Sequence, residues 1–145
     1  MKASRRAVLV LPIATAALPA AAAEEDVATA ERAILAGRTP VATGIAFEMP
    51  PLSENGNSVD VAVRVDSPMT AADHVRAIHI LSEKNPVPRV ASFTLTPRAG
   101  RAEVATRIRL ATSQQIIVLA ETSAGQVHRA MREVIVVLGA CVETG

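Results

Sequence analysis

The sequence has almost no aromatic side chains, since its 145 residues include two Phe and neither Tyr nor Trp. Proteins that bind single-stranded nucleic acid stack bases on aromatic rings within a positively charged groove. The formal net charge here is only +1, so a broadly basic surface is not expected either. The composition therefore argues against a nucleic-acid-binding protein.

Cysteine is nearly as scarce, because Cys141 is the only one in the chain. A single cysteine cannot form a disulfide within its own chain, and a closed zinc site needs four ligands at regular spacing. His74, His79 and His128 have no such spacing relative to Cys141. We therefore expect neither an internal disulfide nor a bound metal or other cofactor.

The common catalytic motifs are also missing from the sequence. It has no G-x-S-x-G turn, no glycine-rich phosphate loop after a strand and no H-E-x-x-H helix. Asp73 and His74 are adjacent, but no nucleophile can be assigned to them. His79 lies in a strand pattern, where a hydrogen-bonded structural histidine is the common case. We predict a protein that is not an enzyme by itself.

Residues 1–23 have the pattern of a secretory signal peptide: a basic start, an apolar run and a small-residue end. The uncharged run from residue 7 to 23 is short for a membrane span, which needs about 20 residues. Arg5 and Arg6 follow Ser4 and resemble the twin-arginine export signature. Export by either the twin-arginine or the general secretory route predicts a periplasmic protein without a membrane span once the signal is removed.

Cleavage after Ala23 would leave 122 residues, which is enough for one domain with a modest core. The removed segment contains Lys2, Arg5 and Arg6 and no acidic residue. The remaining chain has 12 basic and 14 acidic residues, a formal charge of −2.

One helix and linker are predicted over residues 24–40. Asp26 is placed to cap the helix and Gly37 to end it. The residues predicted to share its apolar side are Val27, Ala30, Ala33 and Ile34.

Residues 41–138 have the pattern of a β-sandwich. In the clearest strand, Val59, Val61, Val63 and Val65 alternate with polar or small residues, which predicts one buried and one solvated face. Six further segments have the pattern of a strand: TGIAFEM, HVRAIHILSE, VASFTLTP, AEVATRIRLA, QIIVLAE and QVHRAMREVIVVLGA. Seven short strands without intervening helices predict an all-β, immunoglobulin-like antiparallel β-sandwich.

The chain then ends in residues 139–145, which have too few apolar side chains to pack and are predicted to form a flexible carrier arm. Cys141 lies in this arm. The reactivity of a thiol depends on its thiolate fraction and its accessibility, so an accessible thiol near a chain end is suited to carry a covalently bound group.

Two parts of the chain carry a resemblance to a known family. They are the stretch PPLSENGNSVDVAVRVDSPMTAADHVRAIHILSEKNPVPRVASFTLTPRAGRAEVATRIRLA and the apolar last strand with its near-terminal Cys. In both, the chain resembles the SoxY family of the bacterial Sox thiosulfate-oxidising system. The resemblance implies an immunoglobulin-like sandwich that forms a heterodimer with a SoxZ-like subunit. It also implies that Cys141 is the residue to which sulfur intermediates are attached.

The resemblance also implies the enzymes that act on the carrier. A SoxAX-like haem enzyme conjugates the cysteine to thiosulfate, a SoxB-like enzyme hydrolyses sulfate from the adduct, and a SoxCD-like sulfane dehydrogenase oxidises the remaining sulfur. The best-known arm of the family reads Gly-Gly-Cys-Gly-Gly. Here Gly139 and Ala140 are expected to give the arm its flexibility, and Val142 and Glu143 stand where that arm has glycines.

Two other functions remain open at this level. The chain could be a non-catalytic interaction module whose cysteine is idle or forms a mixed disulfide. It could also be a stand-alone thiol enzyme, in which case His128, on the strand before the arm, is the one candidate base.

Overall fold

The computed structural model describes residues 25–140, and it consists of one helix and two packed β-sheets. The helix α1 spans Val27–Leu35, and a short 3-10 turn spans Pro97–Ala99. The strands are β1 Ile45–Glu48, β2 Leu52–Asn55, β3 Val59–Val65, β4 Val75–Ser82, β5 Arg89–Thr94, β6 Ala102–Ile108, β7 Gln114–Thr122 and β8 Val127–Leu138.

The smaller sheet has three strands in the order β1-β3-β6, and the larger has five in the order β2-β8-β7-β4-β5. Their facing sides form the main core, to which β3, β4, β7 and β8 contribute branched aliphatic side chains. The valines of β3 lie on the core side, with Val63 at 1% exposure, while Arg64 beside it faces solvent. The predicted β-sandwich with a short N-terminal helix is confirmed.

The strand β2 is not among the seven strands predicted from the sequence. Its four residues pair in parallel with the end of β8, whereas the other strand pairs within residues 25–140 are antiparallel. Three of its four side chains are exposed. Its sequence therefore has no alternation to mark a strand, and its hydrogen bonds to β8 define it instead.

The helix α1 packs on the outer face of the five-stranded sheet and forms a second, smaller core. Asp26 caps it as expected, accepting a hydrogen bond from the Thr29 backbone N–H at 2.6 Å. Ala30 and Ile34 are buried against the sheet, but Ala33 is exposed. The prediction for Ala33 is wrong, because the apolar side of the helix continues through half-buried Leu35 instead. This helix is too short and polar to cross a membrane, and no other helix of residues 25–140 could do so.

Candidate functional site

The last described residues of the chain are held at the edge of the sandwich by the loop between β6 and β7. The Leu138 carbonyl accepts a hydrogen bond from the Gly56 N–H at 2.7 Å, and the Gly56 carbonyl accepts one from the Leu110 N–H at 2.8 Å. The Leu110 carbonyl in turn accepts a hydrogen bond from the Ala140 N–H at 2.9 Å. The backbone therefore remains paired for two residues beyond the end of β8.

Glycine is required at two points of this junction. A Cβ at Gly139 would overlap with the carbonyl oxygen of Ala111, and a Cβ at Gly56 would overlap with that of Leu110. Both obstacles are backbone atoms, which cannot rotate away as a flexible side chain could. Gly139 has no positive φ, so the close approach of two backbones, rather than an unusual torsion, calls for glycine.

The structure describes two of the sequence-predicted site residues, Gly139 and Ala140. Gly139 and Ala140 lie in contact with the β6–β7 loop, and the flexibility assigned to them stays a prediction. Cys141, the residue predicted to carry sulfur, lies outside the described residues. So do Arg5 and Arg6 of the predicted export signal, together with the whole predicted signal peptide 1–23.

His128 lies at the opposite end of β8 from the arm. Its Nδ1 is 2.6 Å from the carbonyl oxygen of Thr43, and its ring packs over Gly44. Ten residues of extended strand separate it from Leu138, or roughly 30 Å at about 3.3 Å per residue. Sequence proximity on one strand is therefore misleading, and His128 is too far from the start of the arm to act as a base for its thiol.

The two other histidines have structural hydrogen bonds. His79 contacts the Ser92 hydroxyl through Nδ1 and the Glu121 carboxylate through Nε2, both at 2.9 Å. This confirms the structural role predicted for His79. Nδ1 of His74 lies 3.1 Å from the carbonyl oxygen of Thr70. Residues 25–140 contain no group of three His, Asp or Glu side chains arranged to bind a metal ion.

Glu121 is the centre of a charged cluster on the outer face of the five-stranded sheet. Its Oε2 lies 2.8 Å from Arg38 Nη2 and 2.9 Å from Arg76 Nη2, and its side chain is 12% exposed. Burial alone would raise the pKa of this carboxyl, but hydrogen bonds from Arg38, His79 and Arg76 outweigh burial and lower the pKa to about 2. The cluster therefore binds the end of α1 to the sheet through a carboxylate that stays ionised.

An apolar strip lies on the same outer face, where α1 does not cover the sheet. Odd-numbered residues of β8 point outward there, and Leu52 of β2 pairs with Ile135 of β8. The exposed apolar side chains of the strip are Leu52, Met131, Ile135 and Val137, and Leu138 at the end of β8 is also exposed. Each is at least 45% exposed. Exposed Glu133 separates Met131 from the rest of the strip, so the adjoining apolar residues are Leu52, Ile135 and Val137. An exposed apolar group of this kind is characteristic of an interaction surface.

The residues that organise the junction were not identified from sequence. Asn85 lies in the letters KNPVPR, which predict only a break between strands. Its Oδ1 accepts hydrogen bonds from the Ala111 N–H at 2.9 Å and from Gln114 Nε2 at 3.0 Å. Asparagine is common in turns because its side chain binds nearby backbone groups, but its target here is 26 residues away. No local signal indicates such a partner.

Solved structures include a relative that resembles this chain in both sequence and fold. The sulfur carrier protein SoxY from Chlorobium limicola f thiosulfatophilum is 34% identical, covers 75% of this chain and 96% of its own length, and has a TM-score of 0.60.

Superoxide reductases share the fold at lower identity. The neelaredoxin of Ignicoccus hospitalis is 19% identical, with a TM-score of 0.57 over 65% of this chain and 80% of its own. The superoxide reductase of Nanoarchaeum equitans is 9% identical, with a TM-score of 0.56 over 66% of this chain and all of its own. At these identities the likeness shows the fold alone. No curated protein matches the chain significantly.

The family comparison agrees with the first of these structures. The model of the family described as sulfur oxidation protein SoxY matches residues 31–141, which include most of α1, both sheets and the single cysteine. This match spans well over half of the chain, and with the structural match it shows that the chain belongs to the SoxY family.

Proposed function

We propose that this protein is a periplasmic covalent carrier of sulfur intermediates in thiosulfate oxidation, with the Cys141 thiol as the attachment point and a SoxZ-like subunit as partner. The observation that carries the proposal is the family match, which extends through residue 141 and so includes the only cysteine. The C. limicola protein, 34% identical, is itself described as a sulfur carrier.

The geometry of the chain end supports this role. The sandwich holds the backbone as far as Ala140, the residue directly before Cys141. Ala140 itself lies at the edge of the sandwich and not within its core. A carrier needs its attachment point close to such an edge, because partner enzymes must reach the attached sulfur.

The chemistry proposed for the thiol follows the family resemblance. The cysteine sulfur forms an S–S bond with the sulfane sulfur of thiosulfate, and the two electrons released pass to a SoxAX-like haem enzyme. Water then cleaves the bond between the sulfane and sulfonate sulfurs in a SoxB-like enzyme, releasing sulfate and leaving a persulfide on the carrier. A SoxCD-like enzyme would oxidise that remaining sulfur.

The apolar strip on β2 and β8 supports the proposal that a partner subunit binds this protein. Stable heterodimers bury roughly 800 Å² on each subunit around an apolar centre. The strip provides such a centre on the face that α1 leaves open. The partner is proposed to dock there, beside the junction from which the arm begins.

The proposal is tested by the intact mass of protein purified from cells oxidising thiosulfate. We expect species heavier than the processed chain by a bound thiosulfate and by one added sulfur, and we expect neither species in Cys141→Ser. Reduction before the measurement should remove both. An unmodified mass during active thiosulfate oxidation would count against a carrier.

The alternative of a non-catalytic interaction subunit also accounts for the apolar strip. A strain carrying Cys141→Ser separates the two functions. Normal thiosulfate oxidation by that strain would favour the interaction subunit, and loss of oxidation with intact partner binding would favour the carrier.

A further inference from the structure

The junction at the end of β8 is held by more hydrogen bonds than the termination of a strand requires. Two backbone bonds join the β2–β3 loop to the neighbouring elements at Gly56, and a third holds Ala140 to Leu110. Chain ends usually fray where nothing holds them. Here the backbone is paired up to the residue before Cys141.

The β6–β7 loop that accepts the Ala140 N–H is itself held from the opposite side. Asn85 accepts from the Ala111 N–H and donates from Nδ2 to the Arg109 carbonyl at 2.8 Å. Gln114 is 4% exposed and donates from Nε2 both to Asn85 Oδ1 and to the Thr112 carbonyl. The loop is therefore a rigid support, because side-chain bonds to its backbone hold it on either side of Leu110.

A second contact joins this support to β8. The Ser113 hydroxyl oxygen accepts a hydrogen bond from the Val136 N–H at 2.8 Å. With the Ala140 N–H held by Leu110 and Gly139 pressed against Ala111, the last five residues before Cys141 meet one loop at three points.

We propose that Gly139 and Asn85 are positioning residues that hold the end of the chain on the β6–β7 loop, so that the segment from Cys141 onward starts at one fixed point on the sandwich. Gly139 permits the close approach of the two backbones, and Asn85 holds the loop that is approached. The consequence for sulfur transfer rests on the proposed carrier function, whereas the anchoring does not.

The anchor limits how far the thiol can travel from the domain. Consecutive Cα atoms are about 3.8 Å apart, so the Cα of residue 141 stays within that distance of the anchored Ala140. An enzyme that reacts with the thiol must therefore contact the edge of the sandwich, including the β6–β7 loop, as well as bind the arm. A freely moving arm starting at Gly139 would not impose this requirement.

The anchor is tested by hydrogen exchange at the Ala140 amide in the full, exported chain. We expect exchange at least about tenfold slower than in an unstructured peptide, because the amide must open from Leu110 before it exchanges. Gly139→Ala should abolish that protection by displacing the two backbones. Asn85→Ala should reduce it by freeing the loop, and Asn85→Asp, which keeps the acceptor for the Ala111 N–H, should retain part of it.

Gly125→Ala is the matched control, because it is the same substitution at a glycine in the β7–β8 turn, where φ is 85° and a Cβ would meet open space instead of another backbone. It should lower overall stability and leave protection at Ala140 unchanged. Unprotected exchange at Ala140 in the wild-type chain, or equal protection in Gly139→Ala, would overturn the proposal.

A nitroxide label on Cys141 gives a readout that does not depend on stability. The label should rotate faster in Gly139→Ala and in Asn85→Ala than in the wild-type chain, and Gly125→Ala should match the wild type. Equal mobility in all four chains would also refute the anchor. Neither measurement involves thiosulfate or a carried sulfur group, so the anchor and the carrier function can fail separately.

Discussion

Arg38 and Glu121 join the helix to the sheet through a single guanidinium group. Nη2 of Arg38 lies 2.8 Å from Oε2 of Glu121, and it also donates to the Ile34 carbonyl at 2.6 Å, near the end of α1. Nε of the same side chain donates to the Leu35 carbonyl at 2.8 Å. The contact therefore combines an ion pair with a cap for the helix carbonyls.

This contact predicts acid sensitivity. The pKa of Glu121 is about 2 in the folded protein and would be near 4.5 in the unfolded chain, so the unfolded chain binds the proton more tightly. The stabilisation is complete above about pH 5 and is lost as the pH falls from there toward 2; it amounts to about 3 kcal/mol at most. Urea unfolding of Glu121→Gln should show a deficit at pH 7 that shrinks toward pH 2.

The control for the acid prediction is Glu103→Gln, which removes an exposed carboxylate paired with Arg64 at 3.1 Å. Exposed pairs contribute little to stability, so its free energy of unfolding should follow that of the wild type. A deficit of Glu121→Gln that stays constant with pH would show that lost packing, and not charge, is responsible.

Packing of α1 on the sheet gives a second prediction. Ile34 is 7% exposed and lies in the smaller core with Ile117 and Leu119. Ile34→Ala should lower the free energy of unfolding by about 2–4 kcal/mol, measured by urea denaturation at pH 7. Ala33→Ser, on the exposed side of the same turn, should change it by about 0.5 kcal/mol or less. Equal effects of the two substitutions would mean that the helix is not docked.

The position of His128 predicts that it does not activate the thiol. His128→Ala should leave the rate of Cys141 alkylation by iodoacetamide unchanged between pH 6 and pH 9, because the strand β8 separates the ring from the arm. The variant is also expected to lose its contact with the Thr43 carbonyl, so folding should be checked by circular dichroism. A clear fall in alkylation rate in a folded variant would revive the stand-alone thiol enzyme.

The apolar strip predicts the site of partner binding. Ile135 is 53% exposed, so Ile135→Glu should change the stability of the isolated chain by about 0.5 kcal/mol or less. Burying that carboxylate in an apolar interface is costly, and binding to a SoxZ-like subunit should weaken at least tenfold by titration calorimetry. Val87→Glu, which places the same charge at an exposed valine outside the strip, should bind normally. Normal binding by Ile135→Glu would move the interface elsewhere.

Much of the sandwich can be predicted from sequence, because burial on one face leaves a period of two. Val59 to Val65 show this period clearly, and β3 spans the same residues. The apolar run QIIVLAE also predicts a strand, and β7 spans it, buried in the sheet between β8 and β4. In both strands the positions that are apolar in the sequence are the positions that the fold buries, so the local pattern is sufficient to predict the strand.

The remaining features depend on partners that are distant in sequence. The four residues Leu52–Asn55 become a strand only because the end of β8 lies beside them. Gly139 suggests flexibility when considered alone, but its closest neighbour is Ala111, in another loop. His128 appears close to the arm along the chain and is distant because an extended strand is long. No local pattern encodes these relations.

The 3-10 turn Pro97–Ala99 and Gly100 lie at the end of the sheets opposite the anchor, and a Cβ at Gly100 would meet open space. This turn is therefore a suitable place to insert an affinity tag or to tether the protein to a surface. An attachment there would leave the whole length of the sandwich between the support and Ala140, the residue before Cys141. Immobilised protein of this kind would allow successive enzymes to be flowed over one population of carriers and their order of action to be observed directly.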